Sequence, residues 1–342
     1  MGSDLNAGVG LVGCGVVGRR RADALEPVRL VACADTQPER AERLARAFGA
    51  HVERDWTRLV ARPDVHIVVV ATTNDALVPV TLAAVRAGKH VLVEKPAART
   101  AAELEPVIAA AAAGGVLVRV GFNHRYHPAL LQARHLVDSG AVGPLMFVRG
   151  RYGHGGRLGY ETEWRADPER AGGGELIDQG VHLIDLARWF LGDFTAVDGF
   201  ASTFFWRMPV DDNAFLLLRT VEGRAAMLHA SCTEWKNLFS LEIFGRTGKL
   251  QIDGLGGSYG VERIALYQMR PEMGPPDTTI WEYPGPDRSW TLEFREFLED
   301  IRLDRQPSAG LADARAVLSI VGDVYRRSAW PAIQPAALSP AE

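Results

Sequence analysis

Cysteine is scarce: Cys14, Cys33 and Cys232 are the only three in 342 residues. They are too few and too scattered for a disulfide framework, and no C-x-x-C or H-x-x-x-H spacing offers a zinc site. No metal is expected, and a reducing cytoplasm fits such a chain. Long apolar runs are missing too. None approaches the ~20 residues that span a bilayer, and the start MGSDLNAG lacks the charged-then-apolar layout of a signal peptide. The expectation is a cytoplasmic protein with no membrane partner. Basic excess is also absent, since the formal net charge is -4. Nucleic-acid binding relies on a basic stripe that releases counterions, so no nucleic-acid partner is expected. The one basic run, Arg19, Arg20 and Arg21, falls where a helix begins and reads as a solvated helix face.

What is present is rhythm. The first 120 or so residues alternate short apolar runs with amphipathic ones: VGLVG, VRLVACAD, HIVVVATT, HVLVEKP and VLVRVGF, each separated from the next by a helical pattern. That alternation predicts stacked βαβ units on a parallel sheet, and uninterrupted runs such as Ile67 to Ala71 suit strands covered on both faces. Asp55 and Thr100 stand where helix N-caps belong, with Glu103 positioned to complete a capping box, and Gly49, Gly88 and Gly114 follow helix ends. After Gly121 the character changes. HPALLQARHLVDSG reads as a helix, and then strands alternate with glycine-bearing turns, as in NAFLLLRT-VEGR-AAMLHASC and FSLEIFG-RTG-KLQID. These predict an antiparallel sheet. The expected fold is α/β: a doubly wound Rossmann domain over 1–122, then an α/β domain with a large, open, mostly antiparallel sheet over 123–342. Helices over 291–329 are able to pack back towards the first domain.

The first turn carries G-x-G-x-x-G as Gly13, Gly15 and Gly18. Such glycines permit a tight turn, a close approach of backbone to pyrophosphate and close helix-to-strand packing, with the helix N-terminus facing the phosphates. The second predicted strand ends on Asp35, 20 residues after Gly15, where a carboxylate accepts from both ribose hydroxyls and repels a 2′-phosphate. NAD is therefore favoured over NADP. Val16, Val17, Thr72, Asn74, Glu94, Lys95 and Asn123 join the glycines and Asp35 as cofactor-binding candidates. Cys14 reads as a small filler.

Ligands bind outside the carboxyl ends of the strands in a doubly wound sheet, which is where Glu94, Lys95 and Pro96 fall. An amine there could hydrogen-bond a substrate hydroxyl and exchange a proton with it; equally, Lys95 could simply pair with Glu94. Pro96 is a candidate for a non-trans bond, which sequence does not decide. A second signal is AGGGELIDQGVHLIDLARWFLGD, a predicted helix with Asp178, His182 and Asp185 at spacings of four and three on one face.

Together these motifs, with GFNHRYHP at 121–128 and GGG-x-L-x-D-x-G-x-H-x-x-D at 172–185, resemble the glucose-fructose oxidoreductase, inositol dehydrogenase and MocA family along nearly the whole chain. The resemblance implies a Rossmann domain followed by a domain whose open sheet serves oligomer contacts, so a homodimer or homotetramer is expected. It implies a catalytic set of Lys95, Asp178 and His182: His182 as acid or base, Lys95 bonded to the reacting oxygen, Asp178 tuning His182. It also implies that Asn123 and Arg125 lie near nicotinamide and substrate, while His124 and His127 read as structural.

The segment YGHGGRLGYETEWRADPERAGGG is rich in glycine, arginine and aromatics, and Tyr160, Trp164, Arg165, Arg125 and Asp185 are the substrate-contact candidates, with Trp235 and Lys236 as seconds. The substrate expected is a sugar, nucleotide sugar or inositol-like polyol oxidised or reduced at a secondary carbon, with the arginines tilting towards a sugar nucleotide. Two alternatives stand beside this NAD-dependent dehydrogenase: an enzyme that keeps and recycles its NAD, as a sugar-sugar oxidoreductase, glycoside-cleaving or dehydratase-like enzyme does, and a redox sensor that binds NAD(H) without turnover.

Overall fold

Branched apolar residues in unbroken runs make buried parallel strands, and those of this chain do so in the computed structural model, which describes residues 7–272 and 274–328. Residues 1–6 and the Pro/Ala-rich tail lie outside the described residues. The chain divides into two units, 7–122 with 290–318, and 123–289 with 319–328.

In the first unit, strands β1 (Gly8–Val12), β2 (Arg29–Ala34), β3 (His51–Val52), β4 (Ile67–Val70), β5 (His90–Glu94) and β6 (Val118–Gly121) form one parallel sheet ordered β3-β2-β1-β4-β5-β6. This is the doubly wound order whose switch point lies between β1 and β4. Helices α1 (Val16–Asp23), α2 (Pro38–Phe48), α3 (Trp56–Ala61), α4 (Asn74–Arg86) and α5 (Ala101–Gly114) connect successive strands. Val68, Val69 and Val70 are 0% exposed, as strands covered on both faces require. Asp55 caps α3 by accepting from the Thr57 N–H, and Thr100 caps α5 by accepting from Glu103 N–H. The expected capping box is not closed, however. Glu103 turns instead to the backbone N–H and guanidinium of Arg99, because a charged donor outbids the Thr100 N–H.

In the second unit, α6 (Pro128–Asp138) precedes β7 (Leu145–Gly153), and a short helix α7 (Pro168–Ala171) leads into a π-helical turn, Leu176–Gly180, continuous with α8 (Val181–Leu191). Then come β8 (Phe194–Ser202), β9 (Asn213–Thr220), β10 (Ala225–Ser231), β11 (Leu238–Gly245), β12 (Gly248–Asp253), β13 (Glu262–Gln268) and β14 (Asp277–Tyr283), followed by α9 (Ser289–Leu303) and α10 (Leu311–Arg327). The sheet order is β14-β13-β12-β11-β7-β10-β9-β8, antiparallel throughout except for the parallel β7–β10 pair. Helix α8 lies against β7 and β10. Gly150 makes the approach possible, since a Cβ there would stand 3.1 Å from the Leu183 side chain. From Ala214 on, β9 alternates: Leu216 and Leu218 are buried, Phe215 and Leu217 exposed.

Candidate functional site

In the first unit, β1 ends in the glycine turn. Gly13 has φ +95°, and a Cβ on it would stand 2.3 Å from the Ala71 carbonyl oxygen; one on Gly18 would stand 1.9 Å from the Gly13 carbonyl oxygen. Both must be glycine for the turn to close on the sheet. Gly15 differs. Among the described residues outside its own turn, the nearest atom to a Cβ placed there is an Arg40 nitrogen at 3.9 Å, so its missing side chain leaves open space at the N-terminus of α1. The N-cap is Gly15 itself, which has no side chain to cap that terminus, and the first N–H groups of a helix suit an anion. Val16 beside it is apolar yet 76% exposed. The Asp35 carboxylate is drawn to the same turn: it accepts from the Cys14 N–H at 2.6 Å and from the Gln37 N–H at 2.8 Å. Thr72 and Asn74 follow the tip of β4, across the switch point. These residues fit the pyrophosphate and ribose of a dinucleotide.

The tip of β5 is a tight turn. The Lys95–Pro96 peptide is cis, Ala97 has φ 73°, and the Ala97 N–H donates to the Glu94 carbonyl at 2.9 Å. Lys95 sits at the corner. Glu94 does not pair with it: its carboxylate accepts from Arg21 Nε at 2.5 Å. Arg21 also binds Glu293, and its guanidinium lies 4.4 Å from the Trp290 ring. Arg21 is therefore 1% exposed, which corrects its reading as part of a solvated face. Arg19 and Arg20 do face solvent; one step further, the helical turn carries the third arginine inward. Burial pushes the Glu293 carboxyl up, against the pull of Arg21.

In the second unit, the triple-glycine turn is built around Asp211. Its carboxylate accepts from the Gly174 and Leu176 N–H groups and from the Tyr325 hydroxyl, at 2.8, 2.7 and 2.8 Å. A Cβ on Gly174 would stand 1.9 Å from the Asp211 carbonyl oxygen. Burial pushes the Asp211 carboxyl up, while these three donors pull it back. The π-helical turn that follows was not legible as such, since its apolar spacing matches an α-helix. Asp178, His182 and Asp185 come out of it with separate partners. Asp178 accepts from Arg165 Nε at 3.0 Å, and its charge holds the Arg165 guanidinium above its usual pKa. Asp185, 0% exposed, grips Arg125 in a two-pronged buried pair. The His182 ring stacks on that of His124, centroids 3.7 Å apart.

The candidate substrate segment is divided in character. Tyr160 is buried between His154 and Trp206, and burial pushes its hydroxyl up. Trp164 and Arg165 are half-buried, with the guanidinium 4.7 Å from the indole ring. Trp235 is 66% exposed at φ 57°, edge-on to Phe205. Asn123 donates to Ser289 Oγ at 2.8 Å. Among the described residues, no group of three or more metal-ligating side chains converges and no helix is long and apolar enough to cross a membrane.

Residues 7–122 match an oxidoreductase family with an NAD-binding Rossmann fold, and residues 130–251 match the GFO/IDH/MocA C-terminal domain. Over 97% of its length the chain is 31% identical to inositol 2-dehydrogenase 2 of Saccharopolyspora erythraea, covering 91% of that protein. The chain belongs to the GFO/IDH/MocA oxidoreductase family. Another family relative, the levoglucosan dehydrogenase of Pseudarthrobacter phenanthrenivorans, is 34% identical over 64% of this chain, a match spanning 60% of that protein. Among solved structures, a levoglucosan dehydrogenase in complex with NADH and levoglucosan superposes with a TM-score of 0.84 at 27% identity, over 95% of this chain and 97% of that one. GenD2 from gentamicin A biosynthesis, in complex with NAD, superposes with a TM-score of 0.82 at 27% identity, over 96% of both chains. The α/β fold above is thus that of a GFO/IDH/MocA oxidoreductase, with an NAD-binding Rossmann domain at its start.

Proposed function

We propose that this family member is an NAD-dependent dehydrogenase acting on a secondary carbon of a sugar or inositol-like polyol. The observation that carries the reading is the buried His182 of α8, four residues after Asp178 in the second unit, and Lys95 at the tip of β5 in the NAD-binding Rossmann domain supports it. Bound NAD supplies the hydride acceptor. His182 takes the hydroxyl proton as the carbon becomes a carbonyl, Lys95 donates a hydrogen bond to the same oxygen, and Asp178 tunes the histidine. The Arg125–Asp185 pair braces α8. Asp178 already neutralises Arg165, which favours an uncharged polyol over the sugar nucleotide that the arginines suggested. The names of the inositol and levoglucosan dehydrogenases to which the chain is similar agree with that choice.

The test is absorbance at the NADH band with NAD and a panel of inositols, anhydrosugars, free sugars and sugar nucleotides. A rise with one of them establishes a releasing dehydrogenase and names its class. No rise from any, with NAD found in the purified protein, would replace this reading by the recycled-cofactor one.

Asp35 selects NAD on this reading. Asp35→Ser should weaken NAD binding about tenfold to a hundredfold, the weight of hydrogen bonds to a charged group, and narrow the gap to NADP; fluorescence titration with both reduced cofactors measures it. Unchanged affinities would leave Asp35 as a turn cap only. Three buried free cysteines favour the cytoplasm. The exposed Phe200, Phe215, Leu217 and Met227 sit on facing positions of β8, β9 and β10, an apolar stripe suited to self-association. Light scattering should give a homodimer or homotetramer, and Leu217→Lys should lower the mass; a monomer at every concentration would refute this.

A further inference from the structure

The stacked histidines of the second unit carry a further inference, which rests on His182 as the proton-transfer group. His124 Nδ1 lies 3.3 Å from Asn123 Oδ1, Asn123 Nδ2 lies 2.8 Å from Ser289 Oγ, and Ser289 Oγ lies 2.7 Å from Asp287 Oδ1. The direction of this chain is fixed from its far end. The Asp287 oxygen accepts from both the N–H and the hydroxyl of Ser289, at 2.9 and 2.7 Å, so the one serine hydroxyl proton is spent on Asp287. The serine oxygen is left to accept from Asn123, which turns the amide nitrogen towards Ser289 and the amide oxygen towards His124. His124 must then carry a proton on Nδ1.

Its ring lies on that of His182 with an interplanar angle of 28°, and the two residues are 6% and 4% exposed. Two imidazolium ions at that spacing, away from water, would repel strongly. The pair therefore accepts one proton, not two. We propose that His124 is a positioning residue, a stacking platform oriented from Asp287 through Ser289 and Asn123, which fixes the plane of the His182 ring and keeps a second positive charge off it.

The surroundings agree with a pair that shares one charge. Tyr152 of β7 lies 5.1 Å from His124 and 6.1 Å from His182, and burial keeps its hydroxyl protonated. Phe239 of β11 is apolar and 6.0 Å from His124. His127, 5.5 Å from His124, is held by Glu262 at 2.9 Å and stands 4.0 Å from Asp287. On the segment that carries His182, Asp178 is paired with Arg165 and Asp185 with Arg125.

The decisive experiment is long-range proton–nitrogen NMR of the full chain labelled with 15N-histidine, titrated from about pH 5 to about pH 8 and assigned with His124→Phe and His182→Phe. The expected result is a proton on His124 Nδ1 throughout, with the two rings together taking up one proton. A neutral His124 protonated on Nε2 alone, or two independent full protonations, would overturn the proposal. Kinetics add a second reading, with NAD and levoglucosan or inositol as probes. His124→Ala should lower kcat by about tenfold to a hundredfold, the cost of a misplaced catalytic group, leave the KM for NAD unchanged and shift the pH profile. His124→Phe, which keeps the platform, should recover most of kcat. Equal losses in both variants at wild-type melting temperature would overturn it, as would wild-type kcat and pH profile in His124→Ala while His182→Ala is inactive. A fully active His182→Ala would instead sink the functional reading beneath it, leaving the NMR result to judge the stack alone.

Discussion

NADH formation by the Lys95→Ala variant is expected to fall by about 10²- to 10³-fold, the usual weight of a donor aimed at the reacting oxygen, with little change in NAD affinity. The expectation follows from how the turn is made. Val91, Leu92 and Val93 are 0% exposed, and Ala97 on the far side of Pro96 is 1% exposed, so the backbone at the corner is fixed by its neighbours. Truncating the lysine removes an amine and leaves the turn standing. Arginine should not rescue, since its longer side chain and planar fork do not fit where a compact ammonium did. Pre-steady-state absorbance against the best substrate of the panel, with a parallel NADH titration, measures both quantities. Turnover at the wild-type rate would remove Lys95 from the mechanism and leave Pro96 as the reason for the motif.

Arg21→Met should destabilise the first unit by about 3–5 kcal/mol, the cost of breaking a buried pair by removing one partner. Two carboxylates would be stranded: Glu94, 7% exposed, and Glu293, 0% exposed. The pH dependence has a definite sign. Burial already raises the Glu293 carboxyl with Arg21 present, and without the guanidinium the rise must be larger. A carboxyl whose folded-state pKa lies above its unfolded one binds more protons folded than unfolded, so stability drops as pH rises past the unfolded value of about 4.3. The variant should therefore lose more melting temperature at pH 8 than at pH 5. Equal losses at both would mean that the carboxylates find other partners.

Much of this architecture was legible because it is locally encoded. The unbroken valines of β4, the glycine turn before α1 and the strand-ending Asp35 each state their role within a few residues. The strands β13 and β14 were not read from the sequence. β14 shows a mostly exposed pattern, so an edge strand carries almost no alternation to detect, and β13 follows a glycine-rich loop that hides its start. Arg21 misled for a different reason: its partners Glu94 and Glu293 stand 73 and 272 residues away, and no local pattern encodes such a meeting. The same holds at the candidate site. Asp178, His182 and Asp185 were found by their spacing, but their partners Arg165, His124 and Arg125 were assigned other roles, because spacing says which residues share a helix and nothing about which side chains answer them.

The bond from Tyr325 to Asp211 has a consequence for how the protein is made. Asp211 shapes the turn that launches the His182 helix, and Tyr325, which reaches both Asp211 and the Gly174 N–H, follows them by 114 and 151 residues. On the ribosome, synthesis runs from the N-terminus at ~5–20 residues per second. The Rossmann strands and the eight-stranded sheet can therefore be complete for several seconds while the glycine turn still lacks its last hydrogen bond. A nascent chain would gain the finished turn only when its final described helix emerges.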